Sequence, residues 1–230
     1  MDFIEQDFSG ARFVRCDFSK AVIRGSNAAG MEIDDHDIPE LPFLVNGVDV
    51  VPYVESELNR RFPGRELKSA TRPAGLREAW AAVEAAWAEL LPRAAGHEDV
   101  SIDDEWSFAQ TLRHLVLATN AWLHGAVLGR ERPFHPIGQP FAEYEPEGGD
   151  MSGFRDPESY EEVLAVRAEH QAMVRHYLAT VTDDVLAETR SNPWAPDYEM
   201  TVLACLQVIL NEEWAHLRYA VRDLEIASSR

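Results

Sequence analysis

Apolar residues recur along most of this chain at steps of three and four, the spacing that lines one face of an α-helix. From about Leu76 to Leu91, the positions Leu76, Trp80, Val83, Trp87 and Leu90 follow one another at steps of 4, 3, 4 and 3. From about Ser107 to Leu128 the stripe is carried by Phe108, Leu112, Leu115, Thr119 and Trp122. A third helix is expected from about Pro157 to Thr182, opening on Asp156-Pro157-Glu158: an acceptor cap, a proline at the first helical position and an acidic first turn. A fourth runs from about Met200 to Ile226. The second and third are separated by nearly thirty residues rich in Pro, Gly and acid, Gly129 to Asp156, where antiparallel neighbours need only a few. A crossover of that length returns the chain to the far end. The pattern therefore predicts a mainly α fold, an up-down-down-up four-helix bundle over residues 70–230.

Ahead of these stripes the period changes. Phe3, Phe8, Phe13 and Phe18 recur every five residues, and Ile23, Ala28 and Ile33 hold the phase. Five fits neither a helix nor a flat strand. It fits a coil of small square turns, in which each phenylalanine stacks on the one a full turn away and residues such as Ala11 and Cys16 fill the inward corner. The segments Asp7-Phe8-Ser9-Gly10-Ala11-Arg12-Phe13 and Asp17-Phe18-Ser19-Lys20-Ala21 resemble the repeating unit of the pentapeptide-repeat family. The resemblance covers residues 2–33, at most two turns, and solenoid repeats need neighbours to bury their faces. It implies a short pentapeptide-repeat β-coil over residues 1–35, a small cap leaning on the rest. Residues 36–69 read as a connector that packs, punctuated by Pro39, Pro42, Gly47, Pro52, Pro63 and Gly64, with a short helix at about Val54 to Arg61.

Composition narrows the choice of partner. The chain is 46% hydrophobic and 27% charged, the balance of a soluble globular protein with a real core. Against 40 Asp and Glu stand 21 Lys and Arg, a net charge of −19. That charge repels phosphate backbones and anionic headgroups, so neither nucleic acid nor a membrane surface is expected as a partner. No basic stretch followed by an apolar run opens the chain, and no window approaches the ~18 apolar residues of a transmembrane helix. A cytoplasmic protein acting on a small molecule is the expectation. The two cysteines, Cys16 and Cys205, lie far apart and form no CxxC pair, so any metal must be held by nitrogen and oxygen.

The fourth stripe carries the chemistry. It runs Val202, Cys205, Ile209, Glu212, His216, Tyr219 at steps of 3, 4, 3, 4 and 3, turning ionisable midway. A lone carboxylate on a core stripe needs a cation, a dense set of hydrogen bonds or a metal. Glu212 and His216 leave one helix face close enough to share an ion, and a third ligand must come from another helix. Of the eight histidines, His36 and His97 fall in connectors, His135 in the crossover, His170 and His176 on the third helix, and His114 and His124 on the second. His114 projects from a mostly buried face, where a lone histidine is usually a satisfied core residue. Glu212 has an alternative partner in an arginine such as Arg113 or Arg167, as a buried bridge. Glu213 and His216 have the Glu-x-x-His spacing of di-iron carboxylate sites, yet no other histidine has a Glu three residues before it, so a two-metal site is not expected.

Two segments resemble the motifs of the DinB-like metalloproteins. They are Trp106-Ser107-Phe108-Ala109-Gln110-Thr111-Leu112-Arg113-His114-Leu115 for the second helix and Asn211-Glu212-Glu213-Trp214-Ala215-His216-Leu217-Arg218-Tyr219 for the fourth. The resemblance spans roughly residues 70–228. It implies a four-helix bundle with the long second crossover and one divalent metal on His114, Glu212 and His216. The commonest fourth-helix pattern in that superfamily is His-x-x-x-His. This chain departs from it with Glu212, as does the mycothiol-dependent maleylpyruvate isomerase branch, whose second, C-terminal domain has no counterpart before Arg230. Zinc is the default ion, and nickel, iron or manganese also suit two imidazoles and a carboxylate.

The resemblance further implies a low-molecular-weight thiol cofactor such as mycothiol or bacillithiol, and an S-transferase or isomerase reaction on a small electrophile. Trp122, Trp194 and Tyr219 are expected to wall the substrate side, with His135, held in Pro133-Phe134-His135-Pro136, as the proton acceptor. The alternative is a non-catalytic metal-binding or regulatory module, in which the N-terminal coil serves a conformational role or forms a homodimer.

Overall fold

The computed structural model describes residues 3–14, 16–34 and 42–229 of the 230. The chain divides into two compact units, Met1–Asp35 and His36–Arg230. His36, Pro39 and the expected boundary at residues 35 and 36 lie outside the described residues.

The first unit repeats every ten residues. Asp7, Asp17 and Asn27 each accept the backbone N–H two residues on, from Ser9, Ser19 and Ala29. Ala11, Ala21 and Met31 close turns on the carbonyls of Phe8, Phe18 and Ala28. Each turn uses a left-handed residue, Gly10, Lys20 or Gly30. The rings of Phe3, Phe8, Phe13 and Phe18 meet edge to face at 5.6, 5.7 and 5.4 Å between consecutive members. They touch the ring five residues on, not one a full turn away. Cys16, expected in an inward corner, is exposed.

In the second unit an Asn46-Gly47 turn, both residues left-handed, joins β1 (Leu44–Val45) to β2 (Val48–Asp49), with Leu44 opposite Asp49 and Val45 opposite Val48. Helix α1 (Val51–Arg61) begins three residues before the expected start, with a proline in its first turn. Gly64 then turns the chain, left-handed at φ 92°, where a Cβ would sit 2.8 Å from that of Ala82.

The mainly helical core follows from α2 (Pro73–Leu90), α3 (Phe108–Thr119), α4 (Tyr160–Thr180) and α6 (Val202–Ser228). Helix α3 and helix α2 each lie against both α4 and α6. The stripe residues Leu76, Trp80, Val83, Trp87, Leu90, Leu112, Leu115, Val202, Cys205 and Ile209 are all buried between them.

Two boundaries and the winding of one helix differ from the sequence pattern. Helix α4 starts on Ser159, whose hydroxyl accepts from the Glu162 N–H, and Asp156 pairs with Arg113 instead of capping. Met200 lies in a strand, and Thr201 caps α6 by accepting from Ala204. Helix α3 continues past Thr119 as a π-helical segment, Asn120–Val127. Between α4 and α6 the chain inserts α5 (Asp183–Leu186) and an antiparallel pair, β3 (Thr189–Ser191) with β4 (Glu199–Thr201), neither of which shows in the pattern. Among the described residues no helix is long and apolar enough to cross a membrane.

Candidate metal centre

A capping box sets the start of α3. The Ser107 hydroxyl accepts from the Gln110 N–H, and the Gln110 side chain accepts from the Ser107 N–H. His114 follows two turns in, 8% exposed, on the face turned to α6. From α6, Glu212 and His216 lie one turn apart on the facing side.

The three side chains converge. Glu212 Oε2 lies 3.5 Å from His114 Nε2 and 3.2 Å from His216 Nε2. One ligand atom from each residue lies within 4.8 Å of the others. Metal–ligand bonds of about 2.0–2.1 Å place the ligand atoms of a tetrahedral ion about 3.3 Å apart, so the carboxylate edges of the triangle already match a bound zinc.

The tautomer of His114 is set by the main chain. Its Nδ1 lies 3.1 Å from the Gln139 carbonyl, which can only accept, so Nδ1 carries the proton and Nε2 keeps its lone pair for the cluster. Gln139 is held in turn, its N–H donating to the Arg113 carbonyl, while Arg113 Nε donates to the Ile137 carbonyl at 2.8 Å. Trp106 lies over both imidazoles, its ring 4.5 Å from His114 and 6.0 Å from His216.

Burial alone would raise the Glu212 carboxyl, but the His114 and His216 imidazoles beside it hold it well below the usual carboxylate range. Burial pushes the His216 imidazole down, which keeps it neutral and able to coordinate. The Glu212 side chain remains a third exposed while the histidines are nearly closed, so the open side of the triangle is at the carboxylate. Two imidazoles and one ionised carboxylate, with an orienting carbonyl behind the first, fit a divalent ion that keeps coordination positions free for another ligand.

The buried-bridge alternative for Glu212 is resolved by its neighbour. Arg167 Nη2 donates to both carboxylate oxygens of Glu213, and both side chains are buried. Arg113 spends its guanidinium on the crossover.

Of the expected wall residues, the structure brings Tyr219 to the cluster, its ring 5.8 Å from His216 and under the Arg218 guanidinium at 4.4 Å. Trp122 is buried in the core. Trp194 stacks on Phe134 at 6.0 Å and meets the edges of Phe141 and Tyr144. His135 turns its ring to His170 at 5.8 Å, and its N–H donates to Asn120 Oδ1. Trp106 enters the sequence pattern as the opening residue of the second-helix motif, at helical spacing from His114 but with no role assigned, and the Gln139 carbonyl is a backbone group that leaves no signal there.

A model of the DinB superfamily matches residues 75–220. No curated protein and no solved structure matches the chain.

Proposed function

Since the chain belongs to the DinB superfamily, we propose that it holds one divalent ion, zinc or alternatively nickel, on His114, Glu212 and His216 and conjugates or isomerises a small electrophile with a low-molecular-weight thiol. The convergence of three ligand atoms from α3 and α6 within 4.8 Å carries this reading. Superfamily membership supports placing the long helices in an up-down-down-up bundle, and the ten-residue turns of the first unit support a short pentapeptide-repeat coil.

A divalent ion bound there would lower the pKa of a coordinated thiol, supplying a thiolate at neutral pH. The chain's own groups prepare the place. The Gln139 carbonyl fixes the His114 ring, Trp106 shields both imidazoles, and Glu212 faces the opening. Tyr219, edge-on to His216 beneath Arg218, stands where it would border an incoming thiol. Mycothiol and bacillithiol are the thiols to test.

Elemental analysis of the purified protein should find one divalent ion per chain, and His216→Ala should abolish it. One-to-one binding retained in that variant would overturn the ligand assignment. Metal-loaded protein incubated with mycothiol or bacillithiol and a bimane or chloronitroarene should form conjugate faster than Glu212→Ala. Equal rates across thiols and electrophiles would leave a non-catalytic metal-binding module.

A further inference from the structure

The crossover is fastened to the π-helical segment at one fully buried side chain, Asn120, whose Oδ1 accepts the His135 N–H at 2.8 Å. With that oxygen committed, the amide nitrogen lies 3.0 Å from His124 Nδ1 and 2.8 Å from His170 Nε2, with one hydrogen for each. Both ring nitrogens are therefore unprotonated acceptors. Their other nitrogens are committed as donors, His170 Nδ1 to the Val166 carbonyl at 2.7 Å and His124 Nε2 toward the Met173 sulfur at 3.1 Å. A third ring, that of His135 itself, stands 5.8 Å from His170. The network is complete for neutral histidines and has no place for a further proton.

A proton arriving on His170 Nε2 would set two donors against each other, at a place where Asn120 and His170 are both buried from water. The amide has one remedy, to turn over and present Oδ1 to the imidazolium. Its nitrogen then faces the His135 N–H, again donor to donor, and the crossover loses its tie. We infer that Asn120 is a two-position latch, which holds the crossover at neutral pH and releases residues 133–139 when His170 takes up a proton. His170 is the trigger because, among the described residues, its Nε2 has Asn120 alone as partner. His124 Nδ1 also lies 3.4 Å from the Pro133 carbonyl, which would accept from it once protonated.

The surroundings place the release on the acid side of the ordinary histidine range. Burial resists charge on all three rings, and Arg167 at His170 and Arg130 at His124 add to that resistance. At His135, Arg155 opposes a charge while Glu169 and Glu162 favour it. Opening relieves His170 of its burial, so protonation and release favour each other. Gln139, whose carbonyl orients His114, lies in the released segment. Loosening of the candidate metal centre would follow; that consequence rests on the metal reading above, and the latch does not.

Backbone hydrogen exchange of the full chain, corrected for the intrinsic effect of pH, tests the latch. Between pH 7 and 4.5, with helical circular dichroism retained, the His135 and Gln139 amides should lose protection by about tenfold or more. At pH 4.5 their exchange should be insensitive to urea below the unfolding transition, unlike that of the α3 amides. His170→Gln, which accepts from Asn120 and takes no proton, should hold the loss to about twofold or less. Asn120→Asp, whose two oxygens serve the His135 N–H and a protonated His170 together, should keep both amides protected at pH 4.5. Protection that does not change with pH would overturn the latch, as would an equal loss in His170→Gln. So would crossover amides that exchange only with the full urea dependence of α3, since the whole chain is then unfolding. If Asn120→Asp fails to fold, His170→Gln and the urea dependence decide the matter alone.

Discussion

One residue along an α-helix turns a side chain by about 100°, and that step sends the neighbours Glu212 and Glu213 to different partners. Glu213 reaches Arg167 in the core, while Glu212 reaches two imidazoles at a surface opening. Their substitutions should therefore separate cleanly. Glu213→Leu leaves Arg167 charged, buried and unpaired, and should cost about 3–5 kcal/mol of stability by urea denaturation. Glu212→Gln should lower metal affinity tenfold or more in a chelator competition, with its urea midpoint close to that of the unaltered protein. Sequence pattern alone recognised that a carboxylate on the α6 stripe needed a partner and that Arg167 could be one. It could not say which of two adjacent glutamates the arginine takes, because the apolar face of α6 is wide enough to bury both.

At the scale of the element, the π-helical segment Asn120–Val127 is what the periodicity of the second helix does not show. An insertion that widens one turn leaves a stripe of apolar residues still looking helical. Its first residue ties it to the crossover and to α4. Asn120 accepts the His135 N–H on its Oδ1, so its amide nitrogen faces His124 Nδ1 at 3.0 Å and His170 Nε2 at 2.8 Å. Both rings must accept there, and His170 donates through Nδ1 to the Val166 carbonyl at 2.7 Å. The cluster holds only with neutral histidines. Burial first, then the nearby His124, His135 and Arg167, push the His170 imidazole down to about 4, against its hydrogen bond to the Val166 carbonyl. Above pH ~6.5 the ring is neutral whether the chain is folded or not, and its contribution is fully present. Between ~6.5 and about 4 only the unfolded chain takes up the proton, so stability should fall with pH by roughly 3 kcal/mol from this group. Urea midpoints at pH 7, 5.5 and 4.5 check this, and His170→Gln should flatten the decline.

Across the whole molecule, the long crossover does more than reverse the order of helices. Residues 135–139 are tied to α3 and its π-helical continuation by four bonds: the His135 N–H to Asn120, Arg113 to the Ile137 carbonyl, the Gln139 N–H to the Arg113 carbonyl, and His114 Nδ1 to the Gln139 carbonyl. The Arg155 N–H closes the loop back onto the Pro136 carbonyl. The crossover's length was readable from the spacing of the stripes, and its acidic, Pro- and Gly-rich text marked it as a loop. Where it is pinned was not readable, because most of the acceptors are backbone carbonyls, which leave no trace in residue identity. Arg113 is the joint between the two parts of the centre, since it holds the strand of crossover that presents the Gln139 carbonyl to His114. Arg113→Lys keeps the charge but loses the fork that reaches Ile137, Arg155 and Asp156 together. With the crossover loosened, the His114 ring loses its orienting acceptor, and removal of such a partner typically costs 10- to 100-fold in metal affinity. The expected outcome for Arg113→Lys is a fall of about that size, with helical content retained and faster proteolytic cleavage between residues 140 and 150. Unchanged metal affinity alongside faster cleavage would mean that His114 is oriented by its packing against Trp106 and not by the crossover.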